Sequence, residues 1–232
     1  MITLRNIRTS ALVILAGSAV LAVAAASGNA PRSLWLHLKT ATPGEIAPNA
    51  QGFIQRWLIL DPLPASGDTQ NAVQTTVKTE HFPNELTIVA KDGDKVTANG
   101  AELTWHAVDT NEYNVNLYYF ASAFGKSCNN ALFWAVAVIN CPQEMPNVRL
   151  AIGSNSASVW WVNGKEVAGI YGDRQCLVDD GVSKRLTLKK GANIVRGAIV
   201  NRSGAADFCA RFLDKDDKPL KGYTVSAGEV AK

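Results

Sequence analysis

The sequence predicts an all-β sandwich, and three observations carry that prediction. Short runs rich in Val, Ile and aromatic residues follow one another along the chain, each closed by Gly, Pro, Asn or Asp. Two of the intervening turns are Asn-Gly pairs, Asn99-Gly100 and Asn163-Gly164, which suit a type I′ hairpin because both central residues must take a positive φ. Helical periodicity is nearly absent after the first 26 residues.

The chain opens with Arg5 and Arg8 ahead of the apolar run ALVILAGSAVLAVAAA at residues 11–26, which ends in small residues. That is the pattern of a Sec signal peptide over residues 1–26, cleaved between Ala26 and Ser27. The run has about 16 residues against the roughly 20 of a spanning helix, and its retention as an anchor is the alternative. No cysteine follows it to take a lipid, the first being Cys128. The expected location is secreted, periplasmic or extracellular. About 206 residues then remain, enough for one sandwich with a sizeable core. Loss of Arg5 and Arg8 takes the formal charge from +3 to about +1, with the remaining bases interspersed among acids, which argues against nucleic-acid binding.

Residues 27–52, rich in Pro, Gly and Ala, read as a lead-in with one short strand candidate at LWLHLK, and residues 53–232 as the sandwich. FIQRWLIL, from Phe53, is a strand stopped by DPLP, because proline cannot continue a ladder. SGDTQN is a polar loop. KVTANGAELTWHAV turns at Asn99-Gly100, and VNLYYF reads as a strand that sends one of Tyr118 and Tyr119 to the core and the other to the surface. The uninterrupted ALFWAVAVI reads as a central strand covered on both faces. VRLAIG and the hairpin SVWWVNGKEVAGI follow, then SKRLTLKKGANIVRGAIVNRSG with turns at Gly191 and Gly204, and ADFCARFLDKDDKPLKGYTV with a strand, an acidic turn and a terminal strand.

The succession FIQRWLILDPLP, ELTWHAV, VRLAIGSNSASVWWVNGKEV, LTLKKGANIV and ADFCARFLD, with Arg174 and Asp179-Asp180 between, resembles the galactose-binding-domain-like jelly rolls of bacterial extracellular proteins. Those modules accompany glycoside hydrolases and carbohydrate esterases. The resemblance covers residues 53–225 and is sharpest in the hairpin and the following LKKGAN. It implies a jelly-roll β-sandwich, a non-catalytic carbohydrate-binding role, a glycan as partner, and Trp160 and Val162 facing the core.

Neighbouring side chains in a strand point to opposite faces, so Trp161 cannot share that core with Trp160. As an exposed platform it would stack on the apolar face of a pyranose; as a structural residue it would fill the other layer. In the following loop, Tyr171, Asp173 and Arg174 could grip vicinal hydroxyls, or Arg174 could pair with Asp179 or Asp180 as a strut. The four cysteines predict disulfides in an exported chain, Cys128 with Cys141 and Cys176 with Cys209 being the preferred pairing of three. The acidic turns KDGDK and DKDDK offer carboxylates to a structural calcium but lack the full loop spacing, so solvated turns are the competing reading. No other cofactor is implied.

His37, His81 and His106 sit in separate segments, and GSNSA is not a Gly-x-Ser-x-Gly elbow, so no catalytic motif stands out; a carbohydrate-active hydrolase or its accessory is the minority alternative, resting on carboxylates numerous enough for two to meet in space. Two classes of function stay open. An exported sugar-binding module predicts an exposed aromatic beside polar loops; a structural or protein-interaction sandwich of the cell envelope predicts an apolar patch or an open sheet edge.

Overall fold

The computed structural model describes residues 37–65 and 67–228; the signal peptide expected over residues 1–26 lies outside them. The first half of the described chain forms β1 (Leu38–Thr40), β2 (Arg56–Leu60), β3 (Leu63–Pro64), α1 (Gln70–Lys78), β4 (Lys95–Ala98), β5 (Ala101–Thr110), β6 (Val115–Asn116) and α2 (Leu117–Ala123). The second half forms β7 (Ala131–Cys141), β8 (Met145–Ser154), β9 (Ala157–Val162), β10 (Lys165–Ile170), β11 (Gly181–Val182), β12 (Leu186–Leu188), β13 (Gly191–Asn201), β14 (Asp207–Leu213) and β15 (Thr224–Ser226).

These strands make two antiparallel sheets. The larger runs β1-β5-β2-β7-β13-β9-β10, with β3 and β15 also on β7 and β4 on β5; the smaller runs β11-β8-β14-β6, with β12 on β8. From β7 to β8 to β9, and again from β12 through β15, the chain changes sheet at each step, so sequence neighbours face each other across the core. The expected all-β, two-sheet antiparallel sandwich is present.

Strand β7 shows why the run ALFWAVAVI carries no polar alternation. Phe133, Ala135, Ala137 and Ile139 enter the core between the sheets, whereas Leu132, Trp134 and Val136 enter a second core on the opposite face. Strand β9 divides likewise, Trp160 and Val162 to the first and Val159 and Trp161 to the second. Trp160 is fully buried, its indole Nε1 donating to Ser158 Oγ at 3.0 Å. Across the ladder its ring lies on Gly197, where a Cβ would stand 2.7 Å from the indole carbons. Glycine there is a matter of room, since the ring occupies the place of a side chain.

The second core is closed by α1, through Val73 and Val77, and by Phe82, Ala90 and Trp105. Two charged groups secure this cover. Buried Arg196 reaches up from β13 to donate to the Glu85 and Ile88 carbonyls, and the Glu85 carboxylate accepts from Trp134 Nε1 at 2.6 Å and lies 2.9 Å from His81 Nδ1. Burial pulls the Arg196 pKa down to about 10, with the Glu85 charge opposing the shift.

Both Asn-Gly turns have the expected backbone, with φ of 50° and 76° at Asn99 and Gly100, and 50° and 78° at Asn163 and Gly164. The lead-in is part of the fold from Leu38 onward: β1 pairs with β5, and Ile46 bridges to Val225. It is fastened by buried Arg56, which forks onto Asp109 at 2.7 and 2.8 Å and donates to Thr42 Oγ1 and the Gly44 carbonyl.

Two expectations need correction. The segment read as SGDTQN loop continues into α1, capped by Thr69, whose Oγ1 accepts from Ala72 N. VNLYYF is strand for Val115-Asn116 alone and then becomes α2. Leu117, Phe120 and Ala121 turn inward, while Tyr118 and Tyr119 both face out, at 52% and 37% exposure, instead of dividing between core and surface.

Burial of both tryptophans sets an expected outcome for stability. Trp160→Ala and Trp161→Ala should each lower unfolding free energy, by about 3 to 5 kcal/mol for a large core aromatic, read from denaturant midpoints at constant m-value. An unchanged midpoint for Trp161→Ala would show that the cover over the second core unfolds separately from the sandwich.

Candidate functional site

The residues singled out in the sequence do not converge on one concavity. Trp161 is 8% exposed and packs against Trp134 with ring centroids 5.8 Å apart, so the face expected to stack on a sugar is covered. The half-buried Tyr171 packs against the same core, and its hydroxyl accepts from Gln74 Nε2 at 2.9 Å. Arg174 is the strut of the alternative reading, with Nη1 on Asp180 Oδ2 and Nη2 on the Tyr171 carbonyl, both at 2.8 Å. Asp173 is exposed and borders a shallow polar dimple with Asp68, Ser156, Asn201 and Arg202; its volume of about 10 Å³ is too small for a sugar ring.

Residues 171–182 instead form a strap that leaves the second core at Tyr171, passes over Gly153 of the small sheet at Leu177 and ends in that sheet's edge strand β11. Gly172 N donates to the Asp68 carbonyl and Arg174 N to the Asn155 carbonyl, and Asp179 is gripped by the Arg211 guanidinium. The disulfide expectation divides here. All four cysteines are thiols in the structure. Cys141 ends β7 and Cys128 lies just before its start, so the strand's 11 residues at ~3.3 Å each hold them far beyond bridging reach. Cys176 and Cys209 are neighbours, for the Leu177 carbonyl and Cys209 Sγ flank the same point above Gly153.

Carboxylates of both acidic turns already have partners. Asp92 accepts from Ala107 N, Asp94 from Lys91 N, and Asp214 from the amides of Asp216 and Lys218, while Asp217 pairs with Arg185. Among the described residues no group of three or more His, Cys, Asp or Glu side chains is placed to hold a metal.

A different arrangement has the predicted character. Between Thr110 and Asn116 the chain crosses from the large sheet to the small one, and α2 begins immediately after. This seam encloses an open groove of about 230 Å³, lined by His37, Glu112, Asn114, Asn116 and Tyr119. His37 Nδ1 lies 2.9 Å from Glu112 Oε1, Gln55 Nε2 fixes the Glu112 carbonyl at 3.0 Å, and Asn116 Oδ1 caps α2 by accepting from Tyr119 N at 2.9 Å. Tyr118 meets Tyr119 edge to face, with centroids 6.0 Å apart. Flat aromatic surface thus stands beside imidazole, carboxylate and amide groups able to meet hydroxyls.

The strand reading of VNLYYF hid this groove. The signal that could have found it is Asn116 followed by Leu117, Phe120 and Ala121, a cap and the i, i+3, i+4 spacing of one buried helix face. A larger cavity of about 620 Å³ lies between residues 45–48 and 221–224. Its walls are mainly apolar, and its polar groups are engaged: Glu45 with Thr224 and Asn140, Lys221 with the Asn49 and Ala50 carbonyls.

One carboxyl beside the strap is electrostatically strained. Asp207 Oδ1 is buried with no hydrogen-bond partner among the described residues, and burial pushes the Asp207 pKa up to about 6. In the unfolded chain it should titrate near about 3.9. Between those values the folded state binds the extra proton, so this group's contribution to stability falls as pH rises from about 4 to 6 and stays unfavourable above. Asp207→Asn should therefore raise the melting temperature at pH 7.5 and leave it unchanged at pH 4. An equal shift at both values would contradict the assignment.

No protein-family model and no curated protein matches the chain. Among solved structures, the PA14 domain of the MpAFP antifreeze protein aligns with 83% of this chain and 98% of its own, at 7% identity and a TM-score of 0.44. A β-glucosidase from Kluyveromyces marxianus aligns with 55% of the chain at 20% identity and a TM-score of 0.39. The GH31 α-xylosidase from Xanthomonas citri aligns with 83% at 10% identity and a TM-score of 0.30. The chain spans 16% of the length of the glucosidase and 19% of that of the xylosidase. At these identities and TM-scores the matches assign neither family nor function, and the two-sheet sandwich rests on the strands described above.

Proposed function

We propose that the protein is an exported, non-catalytic glycan-binding sandwich whose binding surface is the seam groove beside α2. The observation that carries this reading is exposed Tyr119, with Tyr118 against its ring, next to the His37–Glu112 pair and the Asn114 and Asn116 amides. A pyranose offers an apolar C–H face to one kind of surface and hydroxyls to the other. The groove is smaller than the ~300–1,000 Å³ of closed ligand clefts, which favours one ring of a longer chain, such as a polysaccharide, over an engulfed small molecule. Export rests on the leader pattern at residues 1–26, and the galactose-binding-like jelly roll is the finer form of the sandwich that the sequence supports.

Titration calorimetry against a panel of plant and bacterial polysaccharides is the test. Tyr119→Ala should raise Kd roughly 5- to 30-fold, corresponding to about 1 to 2 kcal/mol for a lost aromatic contact, with little change in melting temperature. Asp173→Ala should leave Kd unchanged. Failure of the unmutated protein to bind any glycan in the panel, or unchanged binding by Tyr119→Ala, would overturn the reading.

A second reading, an interaction sandwich of the cell envelope, is favoured by one observation. Leu177, Val178 and Val182, on the strap and on β11 at an edge of the small sheet, are exposed apolar side chains, at 54, 45 and 41% exposure. Loss of envelope retention in Val178→Lys, with glycan affinity intact, would support it.

A further inference from the structure

We infer that Cys176 and Cys209 are a cross-linking site, joined in the mature protein by a disulfide that latches the 171–182 strap onto β14, while Cys128 and Cys141 stay as thiols. The geometry is prepared by Gly153, which pairs with Cys209 between β8 and β14. A Cβ at Gly153 would fall 2.0 Å from the Leu177 carbonyl oxygen and 2.8 Å from Cys209 Sγ. The missing side chain is thus the space into which the strap backbone sinks, and that contact brings Cys176, one residue earlier, against Cys209.

The strap is held on both sides of Cys176 without the bond. Arg174 and Gly172 anchor it before the cysteine, and Asp179 on Arg211 anchors it after, so closing the bond orders no additional chain. The surroundings also favour a resting structural bond over an exchanging one. The neighbouring Cys209 thiol, burial, and the nearby Asp207 and Asp180 carboxylates all push the Cys176 thiol pKa up. A reduced form without thiolate stabilisation is one that a disulfide readily replaces. Cys128 and Cys141 have no such partner, each lying against its own end of β7.

The oxidant required is a disulfide, either oxidised glutathione or a dithiol–disulfide oxidoreductase. Half-buried Cys176 loses its proton and attacks one sulfur of that disulfide, forming a mixed disulfide and expelling the first thiolate. Buried Cys209 then loses its proton and attacks Cys176 Sγ, expelling the second thiolate. The two protons end on the two released thiols, and the two electrons given up by the cysteines reduce the oxidant.

The test uses the full chain incubated with oxidised glutathione, quenched in acid, denatured, alkylated and mapped by peptide mass. The expected result is alkylation at Cys128 and Cys141 together with one cross-linked peptide joining Cys176 to Cys209. Alkylation at all four positions, a link involving Cys128 or Cys141, or glutathione retained on Cys176 would each overturn the inference. Stability supplies a second measurement. The cross-link closes a loop of about 34 residues, so reduction should lower the melting temperature by about 7 to 15 °C. Cys176→Ser and Cys209→Ser should melt like the reduced protein whether or not reductant is present. Tryptic cleavage after Arg174 should be several-fold faster in the reduced protein than in the oxidised one; equal rates and equal melting temperatures would show that no latch exists.

Discussion

The large sheet must be covered on both faces, and most of the architecture follows from that requirement. Its central strands present apolar side chains in both directions, Phe133 and Trp160 to one side, Trp134 and Trp161 to the other. The small sheet can close one side only. The segment from α1 to Ala90, together with β4, closes the other, which explains why a mostly β chain includes a helix formed from so polar a stretch as QNAVQTTVK. The helix owes its stability to the packing of Val73 and Val77 on the sheet more than to its own propensity.

Charge is placed where elements must be joined across long sequence distances. Arg56 ties the lead-in to β2 and β5, Arg196 ties the cover to β13, and Arg211 ties the strap to β14. In each case a guanidinium fork meets a carboxylate or several carbonyls, a geometry that satisfies several donors with one buried side chain. The candidate groove falls outside these fastened regions. It lies where the chain passes between the sheets, where a turn and a helix start bring aromatic and polar groups to the surface without requiring them for the core.

The sandwich was legible in the sequence because its signals are local: Asn163-Gly164 sets its own turn, and ALFWAVAVI advertises burial on both sides. The inward Trp160 was legible as well. The position of Trp161 was half legible, since strand alternation sends it to the opposite face but cannot say what covers that face. The cover consists of α1 and the segment that follows it, about 60 to 90 residues earlier in the chain, and no local pattern reports it. The groove was missed for another reason, because aromatic residues are common in strands and the Asn116 cap was outweighed by the Val, Leu, Tyr and Phe around it. The preferred cysteine pairing contained one contact that the fold makes and one that the rigid length of β7 forbids.

Gly197 and Trp160 together occupy one residue's worth of space at the centre of the large sheet. Neither position can therefore drift independently as the sequence diverges. A methyl group at 197 is compatible only with a smaller ring or an aliphatic side chain at 160, and an indole at 160 demands glycine opposite. In an alignment of descendants of this chain the two columns would change in step, and that linked substitution would trace the register of β9 against β13 even where overall identity had faded.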